Sequence, residues 1–391
     1  MESRTPVSFN CQGPFYRLQR RLGLLSTGDL AAGRRAAQFV ALAWIPTVLL
    51  AAVQGFALNP HHERAILYDF SAYAFAIAIA AFVLMEQTSD RRMTWLVSEF
   101  TARGIVLERA RSGFAQARRS MEQRTGSAVA ELIILLGAYA LTYAWIQRGV
   151  ALVDGGTWFG SMPGDSLRLT LAGWWLLLVA LPLFWFLLGR WLWRFVTWGL
   201  LLRDIARCEL RLVSTHPDRR GGLAFIGQYP NTYLLFVFSV STVVAASVLK
   251  RVVFADASLM SFKFALLGLV VFLVVTFVLP LFAFSPVLVA LKRKGLSYYG
   301  ALVSQHNLAF EAKWIRSDPG DWVAEEALGA PDMSSLADIA ASYQLVSEMR
   351  AVPVTKQSIA PLLLAALLPL VVVAATQAPF AQVLGAIKGL L

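Results

Sequence analysis

The sequence predicts an all-α protein, a polytopic helical membrane bundle of about seven transmembrane helices with a helical cytoplasmic layer. Hydrophobic residues make up 57% of the 391 residues and charged residues only 15%, whereas an average soluble domain has about 45–50% and about 25%. Several apolar runs reach the roughly 20 residues that a helix needs to cross a bilayer. Alternating strand patterns are absent, and helices satisfy their backbone hydrogen bonds internally, as lipid requires.

Seven apolar segments are predicted to span the membrane: residues 36–57, 65–85, 129–146, 169–188, 233–254, 261–291 and 359–377. They divide the chain into eight consecutive parts. These are an N-terminal cytoplasmic or interfacial segment (1–35), the first two spans (36–86), a cytoplasmic helical hairpin (87–128), the third and fourth spans (129–189), a cytoplasmic helix extension with an elbow (190–231), the fifth and sixth spans (232–291), cytoplasmic helices (292–357), and the seventh span with an outer interfacial tail (358–391).

The distribution of basic residues predicts the orientation of these spans. Of the 35 Lys and Arg residues, 28 fall in the four stretches 1–36, 87–128, 190–228 and 291–357. Because cytoplasmic loops carry an excess of Lys and Arg, the N-terminus is expected in the cytoplasm and the C-terminus outside. The net charge of +11 then predicts anionic lipid headgroups of the inner leaflet as partners. No basic stripe is interleaved with stacking aromatic residues, so nucleic acid is not an expected partner.

A short amphipathic helix is predicted before the first span, in "PFYRLQRRLGLL" (residues 14–25). Its apolar residues share one helical face and its arginines face away: Phe15, Leu18, Leu22 and Leu25 against Arg17, Arg20 and Arg21. Two interpretations remain open. The helix lies in the membrane interface, or it packs on the cytoplasmic part of the same protein.

The fourth span is predicted to continue beyond the membrane as one projecting helix. No proline or turn signal interrupts "RWLWRFVTWGLLLRDIARCELRLV", which runs from Arg190 to Val213. A bend is expected at Pro182. Arg190 and Arg194 are expected to extend along the helix and place their charges among lipid headgroups.

The candidate site is "STHPDRRGGLAFIG" (residues 214–227), between the fourth and fifth spans. The candidate ligand- or anion-binding residues are His216, Asp218, Arg219, Arg220, Gly221 and Gly222. One interpretation is a structural elbow, in which Pro217 stops a helix, Asp218 caps the next turn and the glycines allow tight packing or positive φ. The other is an anion site, where the arginines and glycine N–H groups hold a phosphate or lipid headgroup and His216 tunes it near neutral pH.

Other chemistry-bearing signals are few. Pro280 and Pro286 bend the sixth span and are candidate gating residues. Ionisable residues inside spans are functional candidates by default, but those found lie within about a turn of a predicted span end: Asp69, Glu131, Lys250, Arg251 and Lys263. Cys11 and Cys208 have no zinc spacing, and neither a catalytic motif nor a cofactor or metal site is predicted.

Three sequence features resemble a widespread group of uncharacterised bacterial multi-pass inner-membrane proteins. They are "HPDRRGGL" before the fifth span, "SLADIAASYQLVSEMRAVP" before the last span, and the closing "LLLAALLPLVVVAA". The resemblance covers most of the chain. It implies a bacterial inner membrane and no particular chemistry.

The sequence favours the first of three functions, and the other two are alternatives to it. The first is a channel or facilitator for a small ion or solute, which would need a polar path past the sixth span and an oligomer. The second is a non-catalytic membrane scaffold or sensor subunit. The third is an enzyme acting on a lipid-linked phosphate, although enzymatic function is not the expectation; it would need a polar groove beside His216.

The orientation can be tested by labelling single cysteines from outside the cell. Because of the asymmetric distribution of Lys and Arg, a cysteine at Gly155 is expected to react, while cysteines at Ser112 and Asp332 are expected to stay protected until the membrane is permeabilised. External labelling at Asp332 would contradict the seven-span topology.

Overall fold

A polytopic α-helical bundle is what the computed structural model shows, and the predicted fold class is confirmed. The structure describes residues 13–25, 31–58, 65–151, 157–161, 166–254, 257–315 and 331–376. Within these ranges, seven helical segments are long and apolar enough to cross a membrane. The chain is therefore an integral, multi-pass membrane protein. The predicted outer interfacial tail lies outside the described residues.

The helices have the following bounds. They are α1 (Pro14–Arg21), α2 (Ala32–Val53), α3 (Phe70–Ala102), α4 (Arg111–Thr125), α5 (Ala128–Ala151), α6 (Leu171–Trp175), α7 (Leu181–Ala206), α8 (Leu234–Phe254), α9 (Lys263–Val278), α10 (Ser285–Phe310), α11 (Pro331–Ser347) and α12 (Lys356–Ala375). Two short strands, β1 (Gly160–Ser161) and β2 (Arg168–Leu169), form an antiparallel pair between α5 and α6.

Helix α3 lies at the centre of the bundle and packs against α2 and α8, while α8 packs against α12 and α5 packs against α7. At one end the chain forms a helical layer from α4, the C-terminal turns of α3 and α7, and the α10–α11 hairpin. This end contains the predicted cytoplasmic segments and is called the basic end below. The other end contains the β1–β2 pair.

Aromatic side chains fill the middle of the bundle. Phe82 of α3 packs on Phe184 and Phe236, with ring centroids 5.9 and 5.3 Å apart, and all three are almost fully buried. Phe195 packs edge-on against Phe236 and Phe277, at 5.0 and 4.8 Å. Such offset and edge-to-face pairs are favourable beyond the apolar area they bury, so this cluster forms a tightly packed interior.

The fourth span is one continuous helical rod from Leu171 to Ala206, with a wide π-helical turn at Leu176–Ala180. The turn lies immediately before Pro182, whose missing N–H and ring disturb the regular helix. The structure shows this widened turn next to Pro182, and the bend expected there stays a prediction. The hydroxyl of Tyr139 donates to the Leu178 carbonyl at 3.1 Å and satisfies a backbone group in the widened turn.

The expected helix up to Val213 is too long, because α7 ends at Ala206. Beyond it the chain is extended and pairs with the loop after α3: Leu210 forms a β-bridge with Val106, and the Arg211 N–H donates to the Ile105 carbonyl at 2.7 Å. The helix ends where these tertiary hydrogen bonds begin, and no local sequence signal marks that position.

The sixth span is interrupted at Leu279–Phe284 by a tight 3₁₀ segment that contains Pro280. Pro280 packs closely against Gly199 of α7, and Leu281 and Phe284 are fully buried. Pro286 lies in the first turn of α10, where a missing N–H costs nothing. The 3₁₀ segment thus packs against α7, and α10 continues from it to pair with α11. The gating role of Pro280 and Pro286 stays a prediction.

Candidate functional site

The elbow sequence forms a compact, non-helical turn at the basic end, between α7 and a 3₁₀ segment at Ala224–Tyr233. Pro217 does not stop a helix, since α7 has already ended at Ala206. Gly221 and Gly222 have φ of +65° and +97°, which confirms the positive φ expected of this pair. These conformations favour glycine because a Cβ would clash with the backbone.

Asp218 is the centre of the elbow. Its carboxylate accepts hydrogen bonds from the backbone N–H groups of Arg220 (2.7 Å), Gly222 (3.1 Å) and Ala224 (3.0 Å). Partial burial alone would raise the pKa of Asp218, but these three donors together with His216 hold it below the usual 3.8. The capping role expected of Asp218 is confirmed, and it extends over three N–H groups.

His216 lies beside Asp218 and is about two-fifths exposed. Its Nδ1 is 3.2 Å from the Asp218 N–H and 2.9 Å from the Asp218 carboxylate. A neutral imidazole with its proton on Nε2 accepts from the N–H, whereas a protonated imidazole donates to the carboxylate. Either protonation state is therefore held in the turn.

The two arginines of the elbow contact the segment between α11 and α12. Arg219 pairs with Glu348 at 2.9 Å, and its carbonyl accepts the Arg350 N–H at 2.8 Å. Arg220 is buried, and its guanidinium donates to the carbonyls of Asp218 and Val354, both at 3.0 Å. The Gly222 N–H proposed as an anion donor already binds Asp218. A ligand anion at these groups would have to compete with internal hydrogen bonds.

Further contacts join the elbow to the start of α12. Lys292 of α10 donates to the Met349 carbonyl at 2.9 Å, and the Ser358 hydroxyl donates to the Gly227 carbonyl at 2.5 Å. Thr355 and Ser358 form a reciprocal capping box at the N-terminus of α12, which fixes where this helix begins. The elbow thus clamps the return of the α10–α11 hairpin onto the bundle.

A second polar assembly lies inside the bundle near the basic end. It is called the ionic cluster and consists of Arg35 (α2), Glu86 (α3), Glu131 (α5), Arg190 and Arg194 (α7). Arg35 and Arg194 donate to the two oxygens of Glu86, the latter at 3.0 Å. Arg190 lies 3.5 Å from Glu131 and 3.7 Å from Glu86. Three guanidinium groups therefore face two carboxylates.

Helix α1 closes the ionic cluster from outside. The Phe15 N–H donates to Glu131 at 2.8 Å, and Gln19 accepts from Arg35 at 2.9 Å. The Phe15 ring lies 4.7 Å from the Arg190 guanidinium, within reach of a cation–π interaction. Of the two interpretations of α1, the structure shows packing on the protein itself. The contacts are with transmembrane helices rather than with the cytoplasmic part of the protein.

The sequence prediction for Arg190 and Arg194 is wrong, and the ionic cluster was missed. Both side chains point inward to Glu86 rather than to lipid headgroups. The sequence does not single out Glu86, because the predicted second span ends at residue 85, whereas α3 continues to Ala102. A carboxylate within a long apolar helix is the signal that could have identified it.

A separate buried ion pair lies at the opposite end. Asp69 caps α3 by accepting the Ser71 N–H at 3.0 Å. It also binds Lys250 of α8 at 2.7 Å and the indole N–H of Trp158 at 2.8 Å. The pair ties α3, α8 and the loop at Trp158 together.

The metal-ligand and cysteine side chains of the described part of the chain are placed as follows. There, no group of three His, Cys, Asp or Glu side chains is placed to hold a metal ion. Cys208 is free and half-buried, and burial followed by the nearby Asp204 raises the pKa of its thiol. Cys11 lies outside the described residues.

Comparison of the chain with protein-family models, with curated protein sequences and with solved structures finds no match.

Removing the central carboxylate of the ionic cluster is expected to destabilise the bundle. Glu86→Gln leaves buried arginines without their counter-charge, which typically costs about 3–5 kcal/mol. Glu99→Gln on the same helix is the control, because its pair with Arg103 is more exposed and such pairs contribute about 0–1 kcal/mol. Equal losses of unfolding free energy in detergent would contradict this role for Glu86.

Asp218→Asn is expected to lower stability by about 1–3 kcal/mol, since a neutral amide replaces charge-assisted hydrogen bonds. Because the folded pKa of Asp218 lies below 3.8, its stabilisation is present at neutral pH and is lost as pH falls through that pKa. The wild-type advantage in melting temperature should therefore persist at pH 7 and 5 and shrink below about pH 3.8. Asp338→Asn, on exposed α11 surface, serves as the control; a constant difference at all pH values would argue against the assignment.

Proposed function

We propose that this protein is a non-conducting membrane scaffold that holds a helical hairpin in a fixed position at the membrane surface. In this proposal the protein lies in a bacterial inner membrane, with its N-terminus and basic end in the cytoplasm. The proposal takes its orientation from the 28 of 35 basic residues in those segments. The α10–α11 hairpin would be the surface that it presents.

The apolar interior of α3 is the observation that carries the proposal. Between Ser71 and Glu86, every buried residue of α3 is apolar, over a rise of about 22 Å. Phe82 lies in this stretch and packs on Phe184 and Phe236. An ion entering this region would lose its hydration without gaining ligands, which is strongly unfavourable.

The clamped hairpin supports a scaffold role. Beyond Gly295, α10 has no fully buried residue, and Val346 is the one fully buried residue of α11. Large apolar side chains are exposed on the hairpin, among them Tyr298, Leu302 and Leu308. Exposed apolar side chains that gather into a patch are typical of interaction sites, and the elbow contacts hold the hairpin that carries these side chains.

A gated channel is the second candidate, because a small cavity lies on each side of the cluster of aromatic side chains around Phe82. One has about 40 Å³ and is lined by Thr47, Asp69 and Trp158; the other has about 20 Å³ and is lined by Ser89, Arg194 and Tyr233. Each is large enough for one or a few waters. Hydrophobic constrictions between water-filled regions can gate by excluding water.

A flux assay separates the two candidates. Full-length protein in liposomes is tested for H⁺, K⁺ and Cl⁻ flux, alongside the variant Phe82→Ala with Phe236→Ala, which shortens the aromatic barrier. The scaffold predicts flux at the level of empty liposomes for both proteins. Flux in either protein above that level would support the channel and overturn the scaffold.

The scaffold also has a positive test. Spin labels at Gln305 of α10 and Ser112 of α4, both exposed, should give a narrow distance distribution in the wild type. Arg219→Gln with Arg220→Gln removes clamp contacts and should broaden it. The control Arg119→Gln with Arg203→Gln changes exposed arginines away from the clamp and should leave it narrow. A broad distribution in the wild type would contradict a fixed hairpin.

A further inference from the structure

An apolar groove of about 560 Å³ runs along the side of the bundle between α1, α5 and the π-helical turn before α7. Apolar side chains line nearly all of it, including Leu18, Leu132, Leu135 and Phe186. Leu132 and Leu135 are 56% and 39% exposed although they lie on a membrane-spanning helix. The groove therefore opens to lipid, and its lining suits a hydrocarbon chain.

The two ends of the groove differ in character. Tyr139 and Leu178 lie at one end, where their hydrogen bond seals the widened turn. Pro14, Phe15 and Glu131 lie at the other end, beside the ionic cluster. Both Glu131 oxygens are engaged, one by the Phe15 N–H and one by Arg190, so this end does not present an unpaired carboxylate.

Exposed arginines of α1 lie beside the groove, although none is among its lining residues. Arg17 and Arg21 are exposed and lie three residues after the groove-lining Pro14 and Leu18, which makes them neighbours on the surface of α1. Helix α1 has no acidic residue. Behind Phe15, the ionic cluster adds three guanidinium groups against two carboxylates. An apolar groove with arginines beside it is complementary to an anionic amphiphile.

We propose that this groove is a binding site for one anionic phospholipid of the leaflet at the basic end. One acyl chain lies in the groove against Leu132 and Leu135, and the phosphate lies against Arg17 and Arg21. The bound lipid would hold α1 over the ionic cluster. The site is independent of the scaffold proposal, because it requires neither a conducting path nor a fixed hairpin.

Lipid binding to purified, delipidated, full-length protein tests the site. Palmitoyl-oleoyl phosphatidylglycerol and phosphatidylcholine are titrated, and the bound lipids are counted by native mass spectrometry. The wild type should bind one phosphatidylglycerol at least tenfold more tightly than phosphatidylcholine. Free glycerol 3-phosphate should not compete, because it lacks the chain that fills the groove.

One set of variants tests the site of the acyl chain, and a second set tests the site of the headgroup. Leu135→Trp fills the groove and should weaken the binding of both lipids at least tenfold, and Leu132→Trp should act in the same way. The control Leu136→Trp changes a neighbouring residue that is 62% exposed and does not line the groove, and it should bind as the wild type does. Melting temperatures without lipid identify any variant that fails to fold.

Arg17→Gln with Arg21→Gln should weaken phosphatidylglycerol binding about 25-fold, since each arginine near an anionic headgroup contributes roughly fivefold. Phosphatidylcholine binding should stay nearly unchanged. Arg119→Gln with Arg203→Gln, exposed arginines on α4 and α7, is the matched control. Equal affinity of the wild type for both lipids, or an unaltered Arg17/Arg21 variant, would overturn the proposal; so would equal losses in the Leu135 and Leu136 variants.

Discussion

The carboxylate of Glu86 is the contact on which the architecture of the basic end depends. It binds arginines from α2 and α7 and lies within a cluster that also joins α5 through Glu131 and α1 through Phe15 and Gln19. Isolated charges in a low-dielectric interior are very costly, so each of these groups is tolerable only while the others are in place. The requirement for mutual neutralisation therefore fixes how five helices meet, which apolar packing alone specifies less strictly.

In the elbow, a carboxylate and two arginines likewise join separate segments, but their main partners are backbone groups. Helix α7 ends before the chain reaches α8, and the intervening backbone needs hydrogen-bond partners near the membrane surface. Asp218 supplies three acceptor contacts for this turn, and Arg219 and Arg220 extend the turn to the segment before α12. These contacts join the entry points of the fifth and seventh spans, and in the proposed function they fix the direction of the α10–α11 hairpin between them.

Between the basic end and the opposite end, the described side chains of the bundle interior interact mainly by apolar and aromatic packing. The aromatic rings around Phe82 and Phe236 separate the ionic cluster from the Asp69–Lys250 pair. This separation is part of the argument for the proposed scaffold. The single pronounced departure from regular helix geometry in the fourth span, the turn before Pro182, also shapes the lipid-facing groove. The π-helical turn therefore also supplies part of the lining of the candidate lipid-binding groove.

Composition and apolar run length by themselves determined the fold class and the seven spans, because the bilayer imposes a minimum helix length that is visible in sequence. Local chemistry also identified the positive φ of the Gly221–Gly222 pair and the capping role of Asp218, since both depend on neighbouring residues. Only the tertiary structure decided that α7 ends at Ala206, that Arg190 and Arg194 turn inward, and that Arg219 and Arg220 bind the α11–α12 segment. These outcomes depend on distant partners, such as Glu86 for Arg194 and Val354 for Arg220, each more than 100 residues away. Hydrogen bonds and ion pairs at that separation leave no periodic pattern along the chain, so no single segment contains the information that specifies them.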